Sequence, residues 1–161
     1  MKILPKWLSF RNRTQPVTGI IVHATAGRTV IGSLETLIAK GLSYHYIIDR
    51  DGTVTKCVPL SKVAFHAGVS FGWGGANCNG YTVGISLANL DDGKEKITEA
   101  QYEALIDLID DICVEYDTIK WLSSHYGIAP KRKSDPRQLD FDRVKMSLQR
   151  KLVLYNTRKP F

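Results

Sequence analysis

The sequence predicts a single α/β domain, because its length suits one domain, strand-like runs alternate with helical stripes, and nothing divides the chain. At 161 residues it is long enough to bury about 70% of its unfolded surface. No internal repeat, linker or low-complexity segment interrupts it, so residues 1–161 read as one layered unit. With 43% hydrophobic and 24% charged residues, and no apolar run long enough to cross a bilayer, membrane insertion is not expected.

Thr18 to Val22 (TGIIV) is a continuous β-branched run, the pattern of a strand buried on both faces, and His23 stands at its downstream end. Gly27 and Arg28 break that pattern. Ser33 is the expected N-cap of a helix over 34–40, with Leu34, Leu37 and Ile38 as its stripe and Gly41 as its stop. Tyr44 to Asp49 reads as a strand, with Tyr44 and Tyr46 on one face and His45 on the other. Arg50-Asp51-Gly52 turns the chain into a second strand, Thr53 to Val58; an Asp-Gly pair between such runs signals a hairpin.

Residues 64–81 read as a long loop rich in glycine and asparagine, and such loops in compact domains are commonly functional or mobile. Val83 to Leu90 is another buried strand. Thr98 with Gln101 forms a capping box for the longest helix, to about Tyr116, with Tyr102, Leu105, Ile106, Ile109, Ile112 and Cys113 facing inward. Trp121 and Leu122 begin a short segment that delivers His125. A basic loop runs from Pro130 to Pro136, and a final helix starts near Asp140, using Val144, Leu148 and Leu152.

The net charge is +6, from 22 basic and 16 acidic residues. Acidic residues crowd 91–117, while Lys131, Arg132, Lys133, Arg137, Arg143, Lys145, Arg150 and Lys151 make the last third basic. A basic face suits an anionic polymer, and it suits a merely solvated surface equally well. No aromatic–basic interleaving accompanies it, so nucleic acid is not an expected partner. Cys57, Cys78 and Cys113 form no CxxC pair and leave one over in any disulfide scheme, which favours reduced thiols. The opening MKILPKWLSF has too short an apolar stretch for a signal peptide, with Pro5 and Lys6 interrupting it, so synthesis in the cytoplasm is expected.

Of the four histidines, His23 follows a buried strand, and His125 precedes a loop with Asp135 ten positions on, in HYGIAPKRKSDP. Catalytic zinc takes three nitrogen, oxygen or sulfur ligands and keeps one position open for water. Two neutral imidazoles and a carboxylate leave the ion a net charge of about +1, enough to lower the pKa of bound water toward ~7. Spacing alone leaves open a hydrogen-bonded structural role for each histidine.

Read together, VHATAG around His23, SYHYIIDRDGTV around Tyr44, FHAG around His66, TVGISLAN around Gly84 and SHYGIAPKRKSDP around His125 occur in that order. The series resembles the zinc-dependent N-acetylmuramoyl-L-alanine amidase family, which includes phage amidase-type lysozymes and peptidoglycan recognition proteins. The resemblance runs from about Thr18 to Asp135. It implies a central mixed β-sheet flanked by helices with a zinc cleft on one side. It also implies cleavage of the amide between N-acetylmuramic acid and L-alanine in bacterial peptidoglycan. On that resemblance His23, His125 and Asp135 hold zinc, Lys133 lies over the substrate carbonyl, and Tyr44 borders the water. Where some members carry a glutamate as general base, this chain has Ser86, which cannot take a proton at neutral pH.

His45 is expected to be structural, while His66 and Trp73 are candidate substrate contacts; Trp73, with Phe71, suits either a cleft wall or a surface loop. The leading expectation is a monomeric lytic enzyme of phage endolysin type, acting on the wall after release through membrane holes. The alternatives are a cytoplasmic amidase that recycles muropeptides and a non-catalytic peptidoglycan-binding module.

Overall fold

The computed structural model describes residues 1–4 and 7–157; Pro5 and Lys6, which break up the N-terminal apolar stretch, lie outside the described residues. The chain opens with β1 (Lys2–Ile3), β2 (Phe10–Asn12), β3 (Gly19–Ala24) and α1 (Val30–Lys40). Then come β4 (Tyr46–Ile48), β5 (Val54–Lys56), β6 (Lys62–Ala64), β7 (Phe71–Gly72) and β8 (Gly75–Ala76). A 3-10 turn (Cys78–Gly80) leads into β9 (Thr82–Leu87) and the long α2 (Glu99–Glu115). β10 (Trp121–Ser124), α3 (His125–Ile128), α4 (Phe141–Ser147) and β11 (Val153–Tyr155) complete the chain.

Seven strands form one mixed sheet in the order β1-β5-β4-β9-β3-β10-β11. Only β4 and β5 pair antiparallel; every other neighbouring pair is parallel. Alternation along the strands sorts side chains between two faces. On one face Ile20, Val22, Tyr46, Ile48, Val83, Ile85 and Leu87 pack against α2 and α4 through Leu105, Leu108, Ile109, Ile112, Phe141 and Val144. On the other, Ile47 meets Leu37 of α1, and Ile21 meets Ile128 of α3. Full burial of a side chain such as Ile109 contributes about 1.5–3 kcal/mol. The expected mixed sheet flanked by helices is therefore the observed architecture.

The capping box forms as expected: the Thr98 hydroxyl accepts from the Gln101 N–H at 3.1 Å and the Gln101 side chain accepts from the Thr98 N–H at 3.2 Å. The hairpin forms too, with Gly52 at a φ of 84° between β4 and β5. The first helix starts earlier than Ser33. Thr29 is its N-cap, accepting from the Gly32 N–H at 3.1 Å, and the Ser33 hydroxyl instead donates back to the Thr29 carbonyl at 2.8 Å.

Tyr44 and Tyr46 do not share a face. The chain bends at His45 and β4 begins only at Tyr46, so alternation does not extend back to Tyr44. Tyr46 packs toward α2, and Tyr44 toward α1. The stretch over 64–81 holds two short strands, paired as a β7–β8 hairpin, and the 3-10 turn. At the other end, α4 stops at Ser147, and Leu152 is buried beyond it, next to an edge strand, β11, that the sequence reading did not separate from the helix. Among the described residues no helix is long and apolar enough to cross a membrane.

Several residues of the basic final third hold the fold together. Arg143 pairs with Glu99, Arg150 donates to the Cys113 and Asp117 carbonyls near the end of α2, and Arg132 donates to the Ala67 and Val69 carbonyls. Much of that charge is thus structural.

Candidate metal centre

His23 lies near the end of β3 on the face opposite α2, since Val22 before it points into the α2 core. β10 runs parallel to β3, with Ser124 beside Val22. The next residue, His125, opens α3, which Ser124 caps by accepting from the Gly127 N–H at 2.8 Å. Parallel pairing therefore brings the two imidazoles side by side, with ring centroids 4.4 Å apart.

Asp135 arrives from the loop after α3. Its carbonyl accepts from the Tyr126 N–H at 3.0 Å, and its Oδ2 accepts from the Ala24 N–H at 3.2 Å. Asp135 Oδ2 lies 3.3 Å from His125 Nδ1 and 3.7 Å from His23 Nδ1. One donor atom from each of the three residues falls within 4.8 Å of the others. Tetrahedral zinc with bonds of about 2.0–2.1 Å spaces its ligands about 3.3–3.4 Å apart, so the residues fit the ion.

The electrostatics agree. His23 Nδ1 is buried and has no hydrogen-bond partner among the described residues; such a group costs about 1–3 kcal/mol unless something satisfies it. His125 Nε2 sits 3.3 Å from the Ala67 carbonyl, which only accepts. His125 Nδ1 in turn lies 3.2 Å from Asp135 Oδ1, so a ring hydrogen placed on Nε2 toward the carbonyl would leave the Nδ1 lone pair for a cation. Burial, then the charges of His125, His66 and Lys133, hold the His23 imidazole well below the usual histidine range. It is neutral at physiological pH, as a ligand must be.

His125 and Asp135 line a cleft of about 440 Å³ whose walls also include Tyr44, Lys40, Arg132, Lys133 and Arg137, with His23 buried behind them. A second pocket of about 340 Å³ over α1, with Arg28 in its wall, shares Lys40 and Tyr44 with it. The Tyr44 ring lies 5.0 Å from that of His23. Burial and the Asp135 charge raise its phenol far above the tyrosine range, partly offset by the Ser86 hydroxyl. Ser86 is fully buried in β9, opposite His23 in register. The carboxylates lining the cleft among the described residues are Asp135 and Asp91, and Asp91 is 3.6 Å from the Arg137 guanidinium.

Two residues grouped with the substrate on sequence grounds stand elsewhere. His66 is buried, with Nδ1 2.9 Å from His23 Nε2, and does not line the cleft. Trp73 is exposed on the β7–β8 turn, outside the cleft walls. His45 is buried as expected; its Nδ1 accepts from the Gly84 N–H and its Nε2 faces the Lys62 carbonyl, both at 3.0 Å. The sequence reading missed Ala67, Asn79 and Thr82, which contact the histidines or their backbone through a carbonyl, a side-chain amide oxygen and a hydroxyl. The only hint was their place within FHAG, in the glycine-rich segment after it, and at the start of TVGISLAN.

An α/β domain with two imidazoles and a carboxylate at the strand ends, facing a cleft, has the layout of a mononuclear metallohydrolase. The family model described as N-acetylmuramoyl-L-alanine amidase matches residues 13–138, and the chain belongs to that family. The family is zinc-dependent, and His23, His125 and Asp135 are the residues here that fit the ion.

The chain is 41% identical over 96 residues to the 1,6-anhydro-N-acetylmuramyl-L-alanine amidase AmpD of Enterobacter cloacae, covering 59% of this chain and 50% of that protein. The match thus spans about half the length of the relative. Among solved structures, a selenomethionine AmpD derivative superposes with a TM-score of 0.76 at 26% identity, over 92% of this chain and 94% of the other. AmiD of Escherichia coli, in complex with anhydro-N-acetylmuramic acid-L-Ala-D-γ-Glu-L-Lys, gives a TM-score of 0.75 at 28% identity, over 85% and 60%.

These relatives correct one expectation. The sequence reading had the protein released through membrane holes to attack the wall. The AmpD relatives are named instead for a 1,6-anhydromuramyl compound, whose internal ring bridge closes the sugar where a wall strand would continue.

Proposed function

We propose that this chain hydrolyses the amide between the lactyl group of N-acetylmuramic acid and L-alanine, and that it takes soluble anhydromuramyl peptides of the recycling type. The observation that carries the reading is the cluster His23, His125 and Asp135, whose last two members line one cleft together with Lys133 and Tyr44. Zinc held there supplies Lewis acidity toward water and the scissile carbonyl. Lys133, two residues before Asp135, stabilises the developing oxyanion; one such donor contributes about 3 kcal/mol to the rate barrier. Tyr44 stays a neutral hydrogen-bond donor, which suits it to orient water and return a proton to the departing amine rather than to act as a base. With Ser86 in place of a carboxylate, the tyrosine and lysine do this work.

The scale and charge of the cleft support a soluble substrate. About 440 Å³ holds one small ligand. Lys40, Arg132, Lys133 and Arg137 in the walls suit the carboxylates of a stem peptide. The test compares a soluble anhydromuramyl tripeptide with intact sacculi, following the new L-alanine amine. Rapid release from the soluble compound and slow release from sacculi are expected. Clearing of sacculi with the soluble compound untouched would reverse the assignment, and binding of either without turnover would make the chain a recognition module.

A further inference from the structure

Behind the two imidazoles runs a buried polar chain that the cleft does not reach. His23 Nε2 lies 2.9 Å from His66 Nδ1, His66 Nε2 lies 3.3 Å from the Thr82 hydroxyl oxygen, and the Thr82 hydroxyl donates to the Cys78 carbonyl at 2.7 Å. Only one arrangement of hydrogens satisfies every member. The carbonyl only accepts, so it takes the Thr82 hydrogen, and the Thr82 oxygen is left to accept from His66. His66 then carries its hydrogen on Nε2 and offers Nδ1 as an acceptor. His23 fills that acceptor with Nε2–H, which leaves its own Nδ1 bare toward Asp135 and His125.

The second imidazole is set from the next residue. His125 has an acceptor on each side, the Ala67 carbonyl 3.3 Å from Nε2 and Asp135 Oδ1 3.2 Å from Nδ1, so the carbonyl holds the ring from behind while the carboxylate faces its other nitrogen. His66 and Ala67 are held as a pair, because both of their backbone N–H groups donate to Asn79 Oδ1, at 3.0 and 2.7 Å. Space is reserved for the His66 ring as well: a Cβ at Gly84 would stand 2.4 Å from its Cγ.

We propose that His66, pinned with Ala67 by Asn79, is an orienting residue that fixes the tautomer of His23, so that its Nδ1 lone pair faces the cation site before any ion arrives, while the Ala67 carbonyl steadies the His125 ring. His66 is a positioning residue that touches neither substrate nor metal. Partners behind ligating histidines typically change metal affinity 10- to 100-fold when removed. The inference rests on the zinc reading of the triad, but its central claim concerns the metal-free protein.

The experiment has two arms. In metal-free protein labelled with nitrogen-15 in histidine, long-range nitrogen–proton correlations are expected to show bare Nδ1 and protonated Nε2 in His23 and His66. Zinc affinity is then measured by competition with a chromophoric chelator. His66→Ala is expected to weaken it 10- to 100-fold. His66→Gln, whose amide can accept from His23 and donate toward Thr82, should restore most of the loss. Thr82→Val guards against a His66→Ala variant that fails to fold: it keeps the volume, removes the acceptor for His66 Nε2–H, and should cost several-fold in affinity where Thr82→Ser costs little. A proton on Nδ1 of His23 in the metal-free wild type, or full zinc affinity in the folded His66→Ala and Thr82→Val variants, overturns the proposal. If the wild type binds no zinc at all, the zinc reading falls, and the nitrogen spectrum still decides the orienting role.

Discussion

Acidifying the metal-free protein from pH 7.5 to 5 should lower its stability by at least about 2 kcal/mol, and His45 is the reason. Its Nδ1 accepts the Gly84 N–H at 3.0 Å, so a second ring proton would oppose that donor, and the Arg13 guanidinium stands 3.3 Å from Nε2. Burial first, then the Arg13 and Lys56 charges against the help of the Lys62 carbonyl, depress its pKa to about 3. The unfolded chain takes up that proton near 6.5. Between those values the unfolded state binds more protons, so the contribution is complete above about pH 6.5 and declines as the pH falls toward 3. At about 1.4 kcal/mol per pH unit, with the onset rounded near 6.5, the loss between pH 7.5 and 5 is about 2 kcal/mol. His23 and His66 are shifted in the same direction and add to it. Asp51, Asp92 and Glu99, whose pKa values are lowered, act only below the carboxylate range and leave this window to the imidazoles. Against a typical stability of about 5–15 kcal/mol the effect is easily read from urea unfolding followed by tryptophan fluorescence in chelator. A constant midpoint and slope across the window, or a His45 ring proton titrating near 6.5, would refute the reasoning.

Three further outcomes are expected. Protein purified without added metal should carry about one equivalent of zinc by mass spectrometry, and His125→Ala little. Lys133→Ala should lower kcat by about 10²–10³-fold while zinc content stays at the wild-type level; loss of zinc alongside activity would instead mark Lys133 as part of the site's structure. Gly84→Ala should destabilise the fold by about 1–3 kcal/mol, because its methyl would overlap the His66 ring; an unchanged melting temperature would mean that the ring moves aside freely.

Signals that live in one short window were legible in the sequence. The Thr98–Gln101 box, the Asp51-Gly52 turn, the Gly41 stop and the buried run before His23 all report local backbone demands, and each appears where expected. The triad was legible only through the resemblance of the five ordered motifs, since spacing by itself left each histidine a structural role. What escaped depended on partners distant in the chain. A three-residue strand such as Val153–Tyr155 has no period of its own and exists because β10 offers it an edge. The side on which Tyr44 falls turns on a bend at His45 that no alternation rule contains. His66 looked like a loop residue facing substrate, since nothing local reveals that residues 66 and 67 are drawn inward by Asn79.

The Ala67 carbonyl is shared by two groups, the His125 ring nitrogen at 3.3 Å and the Arg132 guanidinium at 2.7 Å. Arg132 is the neighbour of Lys133, on the return loop that ends in Asp135. One oxygen atom is therefore a shared anchor between the glycine-rich segment and the loop that carries Lys133 and Asp135. A substitution at Gly68, whose added Cβ would stand 2.9 Å from the Arg132 guanidinium, would therefore be felt at the His125 ring and along the loop to Asp135.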